Sequence, residues 1–261
     1  MTVSSYLEWV YKTSTSSAFG IEWNNLSNVY FRGHADKTWE LKPSLFRNNN
    51  VMYEHELLKK AQNTLWLELQ NTKTHLERLI ILQHHGLSTR LLDVTTNPLI
   101  ALYFACQENK NEKGEETDGI VYCGYYNDDN FNNDEVEKTL DFINNKQLDP
   151  ICPILPQIVS KEEVNEDLLT KSHFIHPPCN NKRIIAQSGA FLLLPLYEKS
   201  GTKWCLNLQP LNEKDSFSKH KKIPAHDKKS LLNELMRYGI HEGTLFPDME
   251  HKIAHIQKTI K

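Results

Sequence analysis

Gln83-His84-His85-Gly86-Leu87-Ser88-Thr89-Arg90-Leu91-Leu92-Asp93-Val94-Thr95-Thr96-Asn97-Pro98-Leu99-Ile100-Ala101-Leu102-Tyr103-Phe104-Ala105 gathers titratable, hydroxylic and aromatic side chains as no other part of the chain does. Polar groups framed by that much Leu, Ile and Phe must be hydrogen-bonded or be there for chemistry. Asn97-Pro98 predicts a helix start, since Asn is a favoured N-cap and Pro a favoured first helical residue. Leu99, Ile100, Leu102, Tyr103 and Cys106 make that helix apolar almost all round, which predicts burial. Thr95 and Thr96 stand at its entrance, where free backbone N–H groups favour phosphate or carboxylate. Arg90 and Asp93 are expected to form an internal ion pair.

Upstream, residues 74–85 read as a helix with Leu76, Leu79, Ile80 and Leu82 as its buried stripe. It delivers His84 and His85 at its end, with Gly86 as the stop. Residues 52–71 read as a longer helix, residues 39–47 as an extended piece, and residues 3–14 as an amphipathic helix capped by Ser4 or Ser5. Residues 13–19 and 48–50 are loops. Asn28-Val29-Tyr30-Phe31-Arg32-Gly33 reads as a strand running into His34. Its Gly admits close approach by a ligand, and its Arg suits phosphate.

Downstream, residues 119–126 predict a strand. The Asn- and Asp-rich segment 127–145 reads as a solvated surface insertion with one weak helix around 135–143. Pro150, Pro153 and Pro156 confine any strand near them to an edge. His173, His176 and Cys179 lack a fourth ligand at metal spacing, so no metal is expected. Residues 183–195 alternate as a strand with apolar residues on both faces, which predicts a central one. Gln187 and Gly189 are out of place in it unless something approaches closely. Trp204, Leu206 and Leu208 alternate in a further strand. Lys214, Lys219, His220, Lys221, Lys222, Lys228 and Lys229 form the one basic patch, read as a solvated loop with phosphate-backbone contact as the alternative. Residues 230–238 read as a helix stopped by Gly239, and Asp248 opens a last amphipathic helix. No internal repeat is found.

The whole is bounded by composition. A chain of 261 residues with 39% hydrophobic residues, ten Phe, ten Tyr and five Trp can bury a sizeable core. A net charge of −3 gives no global pull toward nucleic acid. Five scattered Cys without a Cys-x-x-Cys argue for a reducing, cytoplasmic setting. No run is long enough for a membrane helix, and the first residues lack the regions of a signal peptide.

Tyr30-Phe31-Arg32-Gly33, the Gln83–Thr95 block, Ala101-Leu102-Tyr103-Phe104-Ala105 and Arg183-Ile184-Ile185-Ala186-Gln187-Ser188-Gly189-Ala190-Phe191 resemble the FRG domain, named after its Phe-Arg-Gly. Tyr238-Gly239-Ile240 and the run from Leu245 to Glu250 look like that family's C-terminal block. The resemblance spans roughly residues 25–255 of a single domain, 1–261, with 127–182 as an insertion-like middle. Ser88 stands where Pro is expected, and Val94 where an aromatic is common.

The order of blocks is also similar to ADP-ribosyltransferases of the Arg–Ser–Glu type. That resemblance implies an α+β fold, a split, bent β-sheet flanked by helices, and NAD as substrate. In it Arg32 contacts the NAD phosphates and ribose, with Gly33 and His34 beside it. Thr95, Thr96 and Asn97 form the phosphate-binding helix entrance, and Tyr103 or Phe104 packs near the nicotinamide. Gln187 falls where the catalytic Glu belongs. Gln accepts a hydrogen bond from the ribose but supplies neither negative charge nor a base. Either His84, His85 or Asp93 supplies the charge, or the target nucleophile needs none, or the fold only binds; in the catalytic reading His84 or His85 is general base or target-positioning group. The implied setting is a bacterial toxin or anti-phage effector that modifies nucleic acid, RNA foremost, or protein, and is neutralised by an antitoxin partner. A non-catalytic nucleotide- or partner-binding module is the alternative. A nuclease using the His pair lacks metal ligands and an acidic cluster.

Overall fold

Helical and alternating patterns take turns along the chain, and the elements follow them. The computed structural model describes residues 1–14, 29–47, 50–125, 133–145, 166–177, 181–200, 203–206, 217 and 219–247. The readings placed on Pro150, Pro153, Pro156, Cys179, Leu208, Lys214 and the helix from Asp248 lie outside these residues, as does most of the 13–19 loop. In order, the elements are α1 (Val3–Ser14), β1 (Val29–His34), α2 (Ser44–Arg47), a 3-10 turn (Asn50–Tyr53), α3 (Glu54–Thr64), α4 (Trp66–Leu69) and α5 (His75–His84). Then come β2 (Leu91–Thr95), α6 (Pro98–Ala105), β3 (Gly119–Tyr125), α7 (Asn133–Asn145), α8 (Glu166–Thr170), β4 (His173–Ile175) and α9 (Lys182–Ala186). The last are β5 (Gly189–Leu193), β6 (Tyr197–Ser200), β7 (Lys203–Leu206), β8 (Lys219–Ile223), α10 (Ala225–Arg237) and α11 (Glu242–Leu245).

Six strands form one open antiparallel sheet in the order β4-β5-β2-β1-β3-β8, and β6 and β7 pair as a separate hairpin. The fold is α+β. Alternation puts Val29 and Phe31 of β1 with Val121 and Cys123 of β3 on one face, against α1, α6 and α10. Tyr30, Ile120 and Tyr122 face the other way, into a core shared with Leu58 of α3, Leu79 of α5 and Leu140 of α7. β1 pairs with β3 over six residues, from Val29 opposite Tyr125 to His34 opposite Ile120. It pairs with β2 at Phe31 opposite Thr95 alone. Two three-stranded halves, β4-β5-β2 and β1-β3-β8, therefore meet at a narrow seam.

α6 lies so close over this sheet that a Cβ on Gly33 would stand 1.9 Å from the Ala101 carbonyl oxygen. Gly119 repeats the arrangement, 2.1 Å from the Ala105 carbonyl oxygen. The Gly of Phe-Arg-Gly thus admits the backbone of a helix, where the sequence pointed to a ligand.

Several elements depart from the sequence reading for visible reasons. The helix expected over 52–71 breaks at Leu65, which leaves helical dihedrals at φ −107° and ψ 30°. Trp66 and Leu67 then face outward while Leu69 returns to the core. Residues 44–47 are helical, because one turn buries both Leu45 and Phe46, whereas a strand would turn them to opposite sides. Thr2, where Ser4 or Ser5 was expected, caps α1: its Oγ1 accepts from the Ser5 N–H at 3.2 Å and Ser5 Oγ accepts from the Thr2 N–H at 3.0 Å. The segment read as a solvated insertion supplies α7, whose Val136 and Leu140 are core residues. Glu137 of α7 accepts from the His75 and Leu76 N–H groups at 2.6 and 3.0 Å, at the α5 N-terminus.

Two corrections bear on the site. Arg90 does not pair with Asp93; it is fully buried and forms a two-pronged pair with Glu54, whose carboxylate is 3% exposed. Arg90 Nη1 also donates to the Leu194 and Pro195 carbonyls at 3.3 and 3.0 Å. The central strand expected over 183–195 is shorter, because Lys182–Ala186 is the helix α9. Asn181 starts it by accepting from the Arg183 and Ile184 N–H groups, and Ser188 then turns the chain at φ 43°. β5 begins only at Gly189. It does lie between β4 and β2, so it is an inner strand.

Candidate functional site

A cavity of about 290 Å³ opens where β1 and β2 part. Phe31, Arg32 and Gly33 reach it from β1, Asp93, Val94 and Thr95 from β2, and Phe191 from β5. Ile80, Gln83 and His84 of α5 form one side, Phe104 of α6 another, and Asn181, Arg183, Ile184 and Gln187 the third. The lining draws on both faces of the sheet because the strands separate beyond the Phe31–Thr95 pair.

Arg32 is half-buried, and burial lowers its pKa while the neighbouring Asp93 opposes that shift. A guanidinium stays charged under such a shift. Its Nε donates to His34 Nε2 at 2.8 Å and its Nη1 to the Asp93 carbonyl across the seam. His34 sits behind Arg32 and does not line the cavity. Burial, then the Arg32 charge, lowers the His34 pKa to about 3, so the ring is neutral. With Nε2 accepting, the proton is on Nδ1 and is directed at the Trp39 carbonyl, 3.2 Å away. His34 is thus a holder of Arg32. Arg32 Nη2 has no protein partner among the described residues.

Asp93 is the one exposed residue of β2, between buried Leu92 and Val94. Gln83 Nε2 donates to its Oδ1 at 2.9 Å. The Gln83 amide is itself oriented, since the Thr89 hydroxyl donates to its Oε1. Across the cavity, Arg183 Nη1 lies 3.5 Å from His84 Nδ1. Its guanidinium also stacks over Phe246, 4.9 Å from the ring centre. Phe246 meets Phe104 edge-on at 6.3 Å. Gln187 closes α9 as its C-cap and donates through Nε2 to the Leu245 carbonyl at 3.1 Å.

Of the residues singled out in the sequence, Arg32, Gly33, His84, Asp93, Thr95, Phe104 and Gln187 converge on this cavity, and His34, His85, Thr96, Asn97 and Tyr103 do not. His85 is the exposed C-cap of α5, its ring edge-on to His84. Tyr103 is buried under the sheet, where burial pushes its pKa to about 12. The helix entrance is closed by its own bonds. Thr95 Oγ1 donates to the Gln187 carbonyl at 2.7 Å and accepts from the Asn97 N–H at 3.0 Å. Asn97 Oδ1 takes the Leu99 N–H, and the Asn97 carbonyl takes those of Ile100 and Ala101. The Thr pair therefore ties the 187–188 turn to α6, and the cationic groups of the cavity are Arg32 and Arg183. Gln83, Asn181, Arg183 and Phe191 escaped sequence reasoning. Gln83 and Arg183 open two of the quoted blocks, which was the available signal.

The basic patch also changes character. Its 219–223 portion is strand β8 at the end of the sheet order, where lysines guard an edge against pairing. Lys228 is buried and donates to Glu116 and to the Ala35 and Gln107 carbonyls. Lys222 and Lys37 share Asp118, whose carboxyl they hold well below the usual range. His173 and His176, read earlier for metal, bond to the Asp167 carbonyl and the Tyr30 hydroxyl. No helix among the described residues is long and apolar enough to cross a membrane.

No curated protein and no solved structure matches the chain. A family model described as FRG domain matches residues 27–114, a span that contains β1, α5, β2 and α6. The chain therefore carries an FRG domain, and Arg32, Gln83, His84, Asp93 and Phe104 of the cavity belong to it.

Proposed function

We propose that the protein is an NAD-dependent ADP-ribosyltransferase whose substrate enters the cavity between β1 and β2. The carrying observation is Arg32: it is held from two sides, has an Nη2 without a partner among the described residues and lies at a seam of the sheet that Arg183 and Phe104 also line. Two guanidinium groups suit the paired phosphates of a dinucleotide, and an aromatic face suits its nicotinamide or adenine. The narrow seam supports the likeness to a split transferase sheet. At about 290 Å³ the cavity lies at the small end of the roughly 300–1,000 Å³ usual for ligand sites, so it holds one nucleotide half rather than a whole dinucleotide.

The protein is to be incubated with NAD together with RNA, DNA and cell protein, and nicotinamide release and ADP-ribose adducts followed by mass spectrometry. Release that disappears in Arg32→Ala supports the reading; no release and no adduct from the wild type rejects it. A role as a bacterial toxin or anti-phage effector follows the same logic, and predicts growth arrest on induction that Arg32→Ala relieves. An antitoxin, on this reading, would restore growth by covering the cavity mouth. RNA is the foremost acceptor, with exposed Lys219 and Lys229 as its remaining cationic contacts.

A second reading, nucleotide binding without turnover, is favoured by one observation: Gln187 replaces a carboxylate, and its amide is engaged by the Leu245 carbonyl. Calorimetric binding of NAD or ADP-ribose with no nicotinamide release would select it.

A further inference from the structure

The pocket contains one acidic side chain among its lining residues, and it stands at an unusual place. Asp93 occupies the middle of the inner strand β2, paired with β5 on one side and bordering the opening between β1 and β2 on the other. Such positions are ordinarily apolar, and both neighbours of Asp93 in β2 are buried. Stability gives little reason for a carboxylate there. Among the described residues no cation forms an ion pair with its carboxylate: Arg32, close enough for the two charges to attract, bonds the backbone carbonyl instead, and Arg90 is consumed by Glu54. The carboxylate's sole hydrogen bond among the described residues comes from the neutral Gln83 amide to Oδ1, which leaves Oδ2 without a protein partner among them. The amide is oriented with its nitrogen toward Asp93: the Thr89 hydroxyl donates to its oxygen, and the Leu91 N–H donates to Thr89 Oγ1 at 3.3 Å. Asp93 also pairs in register with Phe191 of β5, the strand that begins after the Gln187–Ser188 turn. A carboxylate is therefore present one strand away from where the late Glu was sought.

We propose that Asp93, and not Gln187, is the catalytic carboxylate of this cavity, with Gln83 and Thr89 as its positioning residues. The inference rests on the ADP-ribosyl-transfer reading above. In the reaction the bond between the ribose anomeric carbon and the nicotinamide nitrogen breaks, and its electron pair leaves on nicotinamide. A lone pair on the acceptor oxygen or nitrogen, that of water when no other acceptor is present, forms the new bond. The acceptor's proton is released to solvent. Positive charge develops on the ribose during bond breaking, and a carboxylate positioned by a neutral donor stabilises that charge.

The test measures nicotinamide release from NAD, with total RNA and cell protein added as acceptors, alongside NAD binding by calorimetry. Asp93→Asn is nearly isosteric and sits at an exposed position, and Asp93→Ser provides a second variant if the first does not fold. The expected result is a loss in kcat of at least about 100-fold with NAD affinity and thermal midpoint nearly unchanged. Gln83→Leu is expected to lower kcat about tenfold and leave KM in place, a split that a merely structural role would not give. Asp93→Asn that retains wild-type kcat overturns the proposal while leaving the transferase reading intact. A wild-type protein that releases no nicotinamide overturns both, and is recognised because no variant is needed to see it.

Discussion

Arg32 lies in β1 and Arg90 immediately before β2, and the two are treated in opposite ways. Arg90 is closed on every side: Glu54 takes two of its donors and the Leu194 and Pro195 carbonyls take a third nitrogen. Arg32 is held by one ring nitrogen and one carbonyl, and its remaining nitrogen is free of protein partners among the described residues. The first arrangement consumes the charge and the second aims it. Charge alone says little about whether an arginine is structural; the count of satisfied donors around it decides.

That contrast can be broken from either side. The largest effect on stability is expected from Glu54→Ala, which strands a fully buried guanidinium. A loss of about 3–5 kcal/mol should appear in urea unfolding, and a loss below about 1 kcal/mol would mean that Arg90 is not closed as described. Arg32→Lys should do the reverse. It keeps the charge but lacks the fork, so kcat/KM for NAD is expected to fall about 100-fold while the melting temperature barely moves. Equal damage to stability and turnover would erase the distinction between the two sites.

Thr95→Val should fall between them. It removes the hydroxyl that joins the Gln187 carbonyl to the Asn97 N–H, at an expected cost of about 1–3 kcal/mol. Were Thr95 a phosphate seat instead, NAD affinity would collapse with little change in unfolding midpoint. The smallest effect is a pH dependence. His34 must be neutral to accept from Arg32, and its folded pKa of about 3 lies below the ordinary value near 6.5. Its contribution is therefore complete above about pH 6.5 and is lost as pH falls from there toward 3. The linked loss is on the order of 1 kcal/mol by pH 5.5. Comparing unfolding midpoints at pH 7 and 5.5 for wild type and His34→Gln isolates it. A slope that persists in the variant assigns the effect to other groups.

Much of this arrangement was legible before any coordinates. Asn97-Pro98 announced the start of α6, because an N-cap and a first-turn proline act through local backbone geometry. Strand β1, strand β3 and the Gly239 stop of α10 were read correctly for the same reason, their signals lying within a few residues. Arg90 was misassigned to Asp93 because proximity in sequence stood in for proximity in space. Its partner Glu54 lies 36 residues away. Residues 183–188 were misread as strand because an apolar run buried on several sides looks alike in helix and sheet. The Asn181 cap was visible but unread, and the left-handed Ser188 has no local signature. Gln187 was thereby placed on a strand it does not occupy.

The sequence by itself determined the elements with strong local chemistry: the Phe-Arg-Gly strand, the capped apolar helix behind it, and the concentration of polar groups between residues 83 and 97. Tertiary structure decided what each polar group is for. It assigned Gly33 to the close passage of α6, Thr95 to a turn, His34 to the back of an arginine, and Asp93 to the cavity. The physical reason is that a side chain's role follows from which of its hydrogen-bonding positions remain open, and that is set by neighbours far away in the chain.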